Sequence, residues 1–568
     1  MTPKDTTALA GLFAAAGETT VSGVPEGYDA LVLADLARLA HGRAGADGRE
    51  SGRPVLHLAR DDQRMSAIVE ALRFFAPDVT VETFPAWDCL PYDRVSPRPE
   101  IAAERVATLS RLAGGAPSGP TVVVATVNAA VQRVPEADTI GRASLSAAPG
   151  NLVDPERIQS FLAENGFSRT GTVLEPGEYA VRGGIVDIYP PGFTEPVRLD
   201  FFGDTLESVR SFDPQSQRTT GQLKRFDLHP ASEVLLNDET VARFRTAYTS
   251  TFGGVTGNDE LYEAVSAGRR YQGMEHWLPL FHETLSTLFD YADWALVSLD
   301  HLAGDAMTAR REQVSDYYEA RRQAQDQDSF GAALYKPLPP ERLYIEADEW
   351  AERLRRLPTA DFTPFDVPET AGRRIVPLGG RQGRNFAPER AQKERNVFEA
   401  LKRHTETLRS DGKRVVVACW SDGARERLVN ILHDHDISPV VEAVGWPEAA
   451  SRDRQIVNVV TLGLETGFET PELAVIGEQD ILGDRLIRRA RKTRRASDFI
   501  QELSSLSPGD LVVHVDHGIG QFEGLRTIEV QGAPHDCLYI TYAGNDRLFL
   551  PVENIELLSR YGSDDPNG

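Results

Sequence analysis

Four residues near the end of the chain, His514, His517, His535 and Cys537, are of the types that bind Zn²⁺, which takes imidazole and thiolate ligands in tetrahedral sets. Their spacing, His-x-x-His and then His-x-Cys, matches no common zinc module. Alternation along a strand also sends His514 and the turn residue His517 in different directions. They read as hydrogen-bonding strand and turn residues, and no metal is expected. Phosphate chemistry fares no better. A phosphate cradle needs glycines for close backbone approach, a lysine and a hydroxyl, usually as GxxxxGK[ST]. Gly412-Lys413 is followed by Arg414 and lacks the upstream glycine, and the Gly42–Gly48 run has no Lys-Ser/Thr. The sequence contains no HExxH, GxSxG or GxGxxG string. Asp61-Asp62 fits a helix N-terminus and Asp564-Asp565 a tail, so neither pair suggests acid–base catalysis.

A different chemistry is offered by VRLDFF at 197–202. In a strand, Arg198, Asp200 and Phe202 share one face and Val197, Leu199 and Phe201 the other. The second set is the evident core side. The first exposes a phenylalanine flanked by an arginine, a pairing enriched at protein–protein hot spots. Arg182, before the Gly183-Gly184 pair, joins that face. Composition alone favours a blander reading, in which Phe202 fills a second small core and the arginines are solvated edge residues.

These residues sit in a chain of 568, too long for one hydrophobic core. Sixty-one basic against 85 acidic residues give a net charge of −24, which opposes broad attraction to nucleic acid or to an anionic membrane. Three dispersed cysteines without a CxxC pair, no run of about 18 apolar residues and no apolar leader lead to the expectation of a cytoplasmic, non-membrane protein.

From Ala30 to Ala129, runs such as VLHLA, VTVETF and TVVVATV alternate with helical patterns, the texture of a largely parallel sheet flanked by helices. After a helix near Pro155–Asn165, the runs TGTVLEP, GGIVDIYPP, EPVRLDFFGD and LESVRSFD predict an antiparallel insertion, with Gly203-Asp204 as a hairpin turn. The chain from 237 to 355 reads as mainly helical around GMEHWLPLF, and α/β alternation returns over 372–484 as a separate smaller unit. A basic run follows, RLIRRARKTRR at 485–495, whose Arg488, Arg489, Arg491, Lys492, Arg494 and Arg495 are candidate DNA contacts. Composition favours a linker for 485–505. The last module, 506–562, is β-rich; from Leu506 onward ten acidic residues face three arginines. An acidic barrel is poorly suited to nucleic acid, and an available edge at Gly520–Val530 suits strand addition.

Three stretches carry a resemblance to a known family: FPAWDCLPYDRVSPRPEIAAERVATLSRL, GEYAVRGGIVDIYPPGFTEPVRLDFFGDTLESVRSFDPQSQRT and PGDLVVHVDHGIGQFEGL. They resemble the N-terminal part of the bacterial transcription-repair coupling factor, Mfd. The resemblance implies an α/β multidomain fold. It comprises a UvrB-like, degenerate helicase-like α/β domain at 1–149, an inserted β-rich UvrA-binding domain at 150–236 and a helical part at 237–355. The 372–484 unit of unknown role and a Tudor- or SH3-like barrel that interacts with RNA polymerase complete it. It further implies UvrA contacts at Arg182, Arg198 and Phe202, which reverses the blander reading of that face. Contacts to the RNA polymerase β subunit are implied at Leu525 and Ile528, where many relatives have leucine at the second position. The family's ATP- and Mg²⁺-dependent motor, its main DNA contact, lies beyond these segments, so no cofactor and no catalytic residue are expected here. Where a UvrB-like domain would carry Gly-Lys-Thr, this chain reads VPEGYDALVLADLARLA, and no aromatic hairpin separates LPYDRVSP from the next helix. The expectation is a monomeric scaffold in transcription-coupled excision repair. A helicase-like nucleotide hydrolase and a DNA-binding repair protein are the alternatives.

Overall fold

The computed structural model describes residues 3–14, 16–42, 52–143, 145–255, 259–326, 335–368, 374–391, 396–483, 509, 511–514, 518–530, 533–542, 547–551 and 558–560. The basic run at 485–495 and the Asp564-Asp565 tail lie outside these residues.

Seven strands form the first sheet, in the order Arg374–Pro377, Gly17–Ser22, Pro358–Thr363, Leu296–Leu299, Val55–Ala59, Thr121–Thr126 and Thr80–Phe84, every neighbouring pair parallel. A parallel sheet needs cover on both faces, and Val55–Ala59 and Thr121–Thr126 are accordingly buried along their whole length. Crossover helices supply the cover. Tyr28–His41 follows the first strand, and Asp62–Phe75 starts at the expected acidic pair, where the Asp61 carboxylate accepts the Arg64 amide at 2.8 Å.

Two features differ from the sequence expectation. The 237–355 region, read as mainly helical, contributes Leu296–Leu299 to the middle of the first sheet. Arg374–Pro377, assigned to the second α/β unit, forms an edge of the first. Parallel neighbours come from distant chain segments, so their order leaves no local trace.

The second α/β unit has its own sheet, ordered Arg381–Gln382, Phe468–Glu469, Leu473–Gly477, Arg414–Cys419, Val457–Thr461 and Val440–Glu442. It is not separate in its packing. The helices Tyr28–His41 and Asp62–Phe75 share one core with strand residues of both sheets, Val55, Val122 and Phe362 on one side and Val416, Val460 and Val475 on the other. Phe75 meets Trp446 edge-on at 5.2 Å, and Tyr28 stacks on Phe468 at 6.0 Å.

The β-rich insertion is a sheet ordered Thr219–Leu223, Thr205–Phe212, Val197–Phe202, Ile185–Ile188, Glu178–Arg182 and Ser168–Arg169, antiparallel except for its last pair. TGTVLEP is not a strand; it loops across the sheet and buries Val173. The segment GMEHWLPLF packs as the aromatic core piece its composition suggests, with Trp277 and Phe281 buried. Near the end of the chain a five-stranded antiparallel sheet runs Arg547–Pro551, Ala533–Thr541, Gly518–Val530, Leu511–His514 and Leu558–Arg560. Among the described residues, no helix is long and apolar enough to cross a membrane, and no group of three or more His, Cys, Asp or Glu side chains is placed to hold a metal ion.

Candidate functional site

The insertion sheet has two unlike faces. Tyr179, Val186, Ile188, Val197, Leu199, Leu206 and Val209 point to one side and form its core with the helix Pro155–Glu164, whose Ile158 and Leu162 are fully buried. Cross-strand pairing puts Arg198 between Asp187 and Arg210, and Asp200 between Ile185 and Ser208, on the opposite side. The alternation expected for VRLDFF is therefore realised in the register.

On that second face the three singled-out residues have different environments. Phe202 is 76% exposed, at the end of a hairpin closed by Gly203, whose φ of +58° is readily available to glycine. Arg198 is held. Its Nε and Nη2 donate to the two carboxylate oxygens of Asp187 at 2.6 and 2.8 Å, and its guanidinium lies 4.5 Å from the centre of the Phe212 ring. The hydrogen bond to Asp187 raises the Arg198 pKa above its ordinary value, so the side chain stays charged. Arg182 is exposed and donates to the Gly171 carbonyl at 2.5 Å and to Thr172 Oγ1 at 3.1 Å. A second small core does exist here, but it is built from Val173, Ala180 and Phe212, and Phe202 is outside it. Sequence reasoning missed Phe212 because a register shift between Leu206 and Ser208 breaks the parity of its strand and puts Phe212 on the face opposite Leu206.

The root of the insertion is anchored by residues from the first recognisable stretch. Arg105, fully buried on the helix Pro99–Ala113, donates from Nη2 to Glu233 at 2.9 Å, while Trp87 Nε1 donates to the same carboxylate at 2.8 Å. Glu233 follows the strand Phe226–Leu228, so this pair ties the exit of the insertion to the first α/β unit.

At the carboxyl ends of the parallel strands, where open α/β sheets bind ligands, the chemistry turns inward. Asp29 Oδ1 accepts the amides of Gly27 at 3.1 Å and Ala30 at 2.7 Å, taking the place a phosphate would occupy at this helix N-terminus. Arg64 joins Asp29 to Asp300, which follows the strand Leu296–Leu299. Burial opposes charge on Asp300, yet Arg64 brings its pKa below the usual carboxylate range; burial pushes Asp29 upward even against Arg64. The remaining cavity is about 20 Å³, room for one or two waters and not for a nucleotide phosphate.

In the terminal sheet, Gly518–Val530 pairs along most of its length with Ala533–Thr541, whereas Leu511–His514 covers its other edge only over Gly518–Gln521. Among the described residues, no strand pairs that edge from Phe522 to Val530. Leu525 is the register partner of the fully buried Leu538, and half-buried Ile528 is the partner of His535. His514 and Cys537 are both buried, while His517 lies outside the described residues.

A buried ion network at the strand ends of the first sheet and an exposed phenylalanine on the insertion sheet sit within a multidomain α/β architecture. Residues 145–234 match the UvrB interaction domain, and 506–562 match the CarD-like/TRCF RID domain. The chain is 31% identical to the transcription-repair-coupling factor of Rickettsia bellii over 90% of its own length and 44% of that protein. It is 31% identical to that of Escherichia coli over 96% and 45%, and 28% identical to that of Bacillus subtilis over 96% and 46%. The chain matches these transcription-repair-coupling factors along 90–96% of its own length and spans just under half of theirs.

Proposed function

We propose that this chain is a docking scaffold of transcription-coupled nucleotide excision repair, acting in the cytoplasm, that links the excision protein UvrA to the β subunit of RNA polymerase. The insertion face takes UvrA, with Phe202 as the apolar anchor, Arg198 as a pre-positioned cation and Arg182 as a more loosely held one. The terminal sheet, read as a Tudor- or SH3-like barrel, takes the polymerase by pairing along the open edge of Gly518–Val530 near Leu525 and Ile528. Unused strand edges invite such augmentation.

The observation that carries the reading is the contrast within one strand: Phe202 is solvent-exposed while Arg198, four residues earlier, is locked by Asp187 and Phe212. Among the described residues Phe202 belongs to no buried cluster, and an ordered cation on the same strand face as an exposed aromatic is a composition enriched at interface hot spots. Capture of UvrA by the chain tests it. Phe202→Ala is expected to abolish capture at concentrations where the parent binds, with an unchanged circular dichroism spectrum; undiminished capture overturns the assignment. The filled crevice beside Asp29, Arg64 and Asp300 weighs against the nucleotide-hydrolase alternative.

A further inference from the structure

The row of the insertion sheet that contains Phe202 does not end at the strand Thr205–Phe212. Leu152, in the segment that enters the insertion, forms an isolated antiparallel bridge with Thr205, and Thr205 is the register partner of Phe202. Leu206 N donates to the Asn151 carbonyl at 3.0 Å and Val153 N to the Asp204 carbonyl at 2.8 Å. These bonds flank the Leu152–Thr205 pair and make it a non-hydrogen-bonded one, the type in which side chains lie closest. Paired residues of adjacent strands face the same side, so Leu152, Thr205 and Phe202 form one row on the docking face. With one strand between them, Leu152 and Phe202 are spaced by about 10 Å.

Leu152 is 82% exposed, more than Phe202, and its backbone is fixed on both sides, by the bonds above and by Gly150 N donating to the Leu206 carbonyl at 2.8 Å. An apolar side chain on an ordered backbone can be buried by a partner with little ordering cost. On this face Arg198 and Arg210 are ion-paired with Asp187 and Asp200, and Arg182 shares its strand parity with Glu178, so the charges there are balanced around the two apolar side chains.

We infer that Leu152 is a second apolar anchor of this docking face, so that the partner presents an apolar notch long enough for two side chains. The inference rests on the proposed function and takes UvrA as the occupant. Binding of UvrA to the immobilised chain, measured for the parent, Leu152→Ala, Leu152→Lys and Phe202→Ala, tests it. Leu152→Ala is expected to weaken binding on the order of tenfold and Leu152→Lys more, both with the parent's melting midpoint. Parent-like binding by Leu152→Ala and Leu152→Lys, with weakened binding by Phe202→Ala, overturns the inference and leaves the proposed function standing. Parent-like binding by all three variants overturns both. A loss of binding that tracks a lowered melting midpoint reports misfolding and counts against the anchor role.

Discussion

The carboxyl ends of the first sheet and the outer face of the insertion use the same residue types in opposite ways. In the first, Arg64 is buried between Asp29 and Asp300, and its charge is consumed in joining two helices and a strand end. In the second, Arg198 is oriented by the buried carboxylate of Asp187, covered by Phe212 and bonded from Nη1 to the Gln217 carbonyl at 3.5 Å, and it stays partly exposed on the face whose strand ends in Phe202. An arginine held among several carboxylates in a buried site is structural cement; an arginine paired with one at the edge of a surface is held in place while still partly exposed. The comparison shows how one sheet spends its arginine on internal cohesion while the neighbouring sheet leaves a phenylalanine exposed to solvent.

Acid separates the two regions most strongly. Burial lowers the pKa of His57, beside Asp300, to about 4, that of His276 to about 3 and that of His282 to about 4, from an ordinary 6.5. The unfolded chain takes up these protons first, so the stabilisation is complete above pH 6.5 and is lost as pH falls toward the folded values. Each histidine contributes about 1.4 kcal/mol per pH unit in that window. The urea midpoint of the first sheet and its helical partner is expected to drop steeply from pH 6.5 to 4.5; a flat profile contradicts the burial of these imidazoles.

Breaking the inward cluster comes next. Arg64→Met leaves two buried carboxylates without their cation and is expected to cost about 3–5 kcal/mol in chemical denaturation. A variant as stable as the parent would remove the distinction between cement and contact. Arg198→Ala strands Asp187 and should cost about 1.5–3 kcal/mol as well as UvrA affinity, a double effect that Arg198→Lys does not rescue fully because the paired hydrogen bonds are lost. Arg182→Ala is expected to stay within about 0.5 kcal/mol of the parent in stability and to change only binding. If Arg182→Ala destabilises as much as Arg198→Ala, the two are not the different contacts their geometry suggests.

Much of the docking face was legible in the chain because strand periodicity is local. VRLDFF alternates between a core that must be apolar and a face free to carry function, and Gly203-Asp204 marks the hairpin that ends it. The blander reading failed on a particular: the second small core exists, but Phe212 fills it from beyond a register shift. Nothing local distinguishes Phe202 from Phe212, since both are phenylalanines on the same sheet and differ only in what lies above them. Leu152 escaped notice for the same reason, being a lone leucine in a loop-like stretch until its bridge to Thr205 is seen.

Composition, periodicity and missing motifs determined the alternation of parallel α/β units with an antiparallel insertion, the lack of a phosphate cradle and the faces of individual strands. These depend on residues a few positions apart. Tertiary structure alone decided that Asp29, Arg64 and Asp300 meet, that Arg374–Pro377 extends the first sheet, and that two sheets share one helical layer. Such pairings join positions up to hundreds of residues apart. Their energy comes from burial and charge in a common space, which sequence distance does not measure.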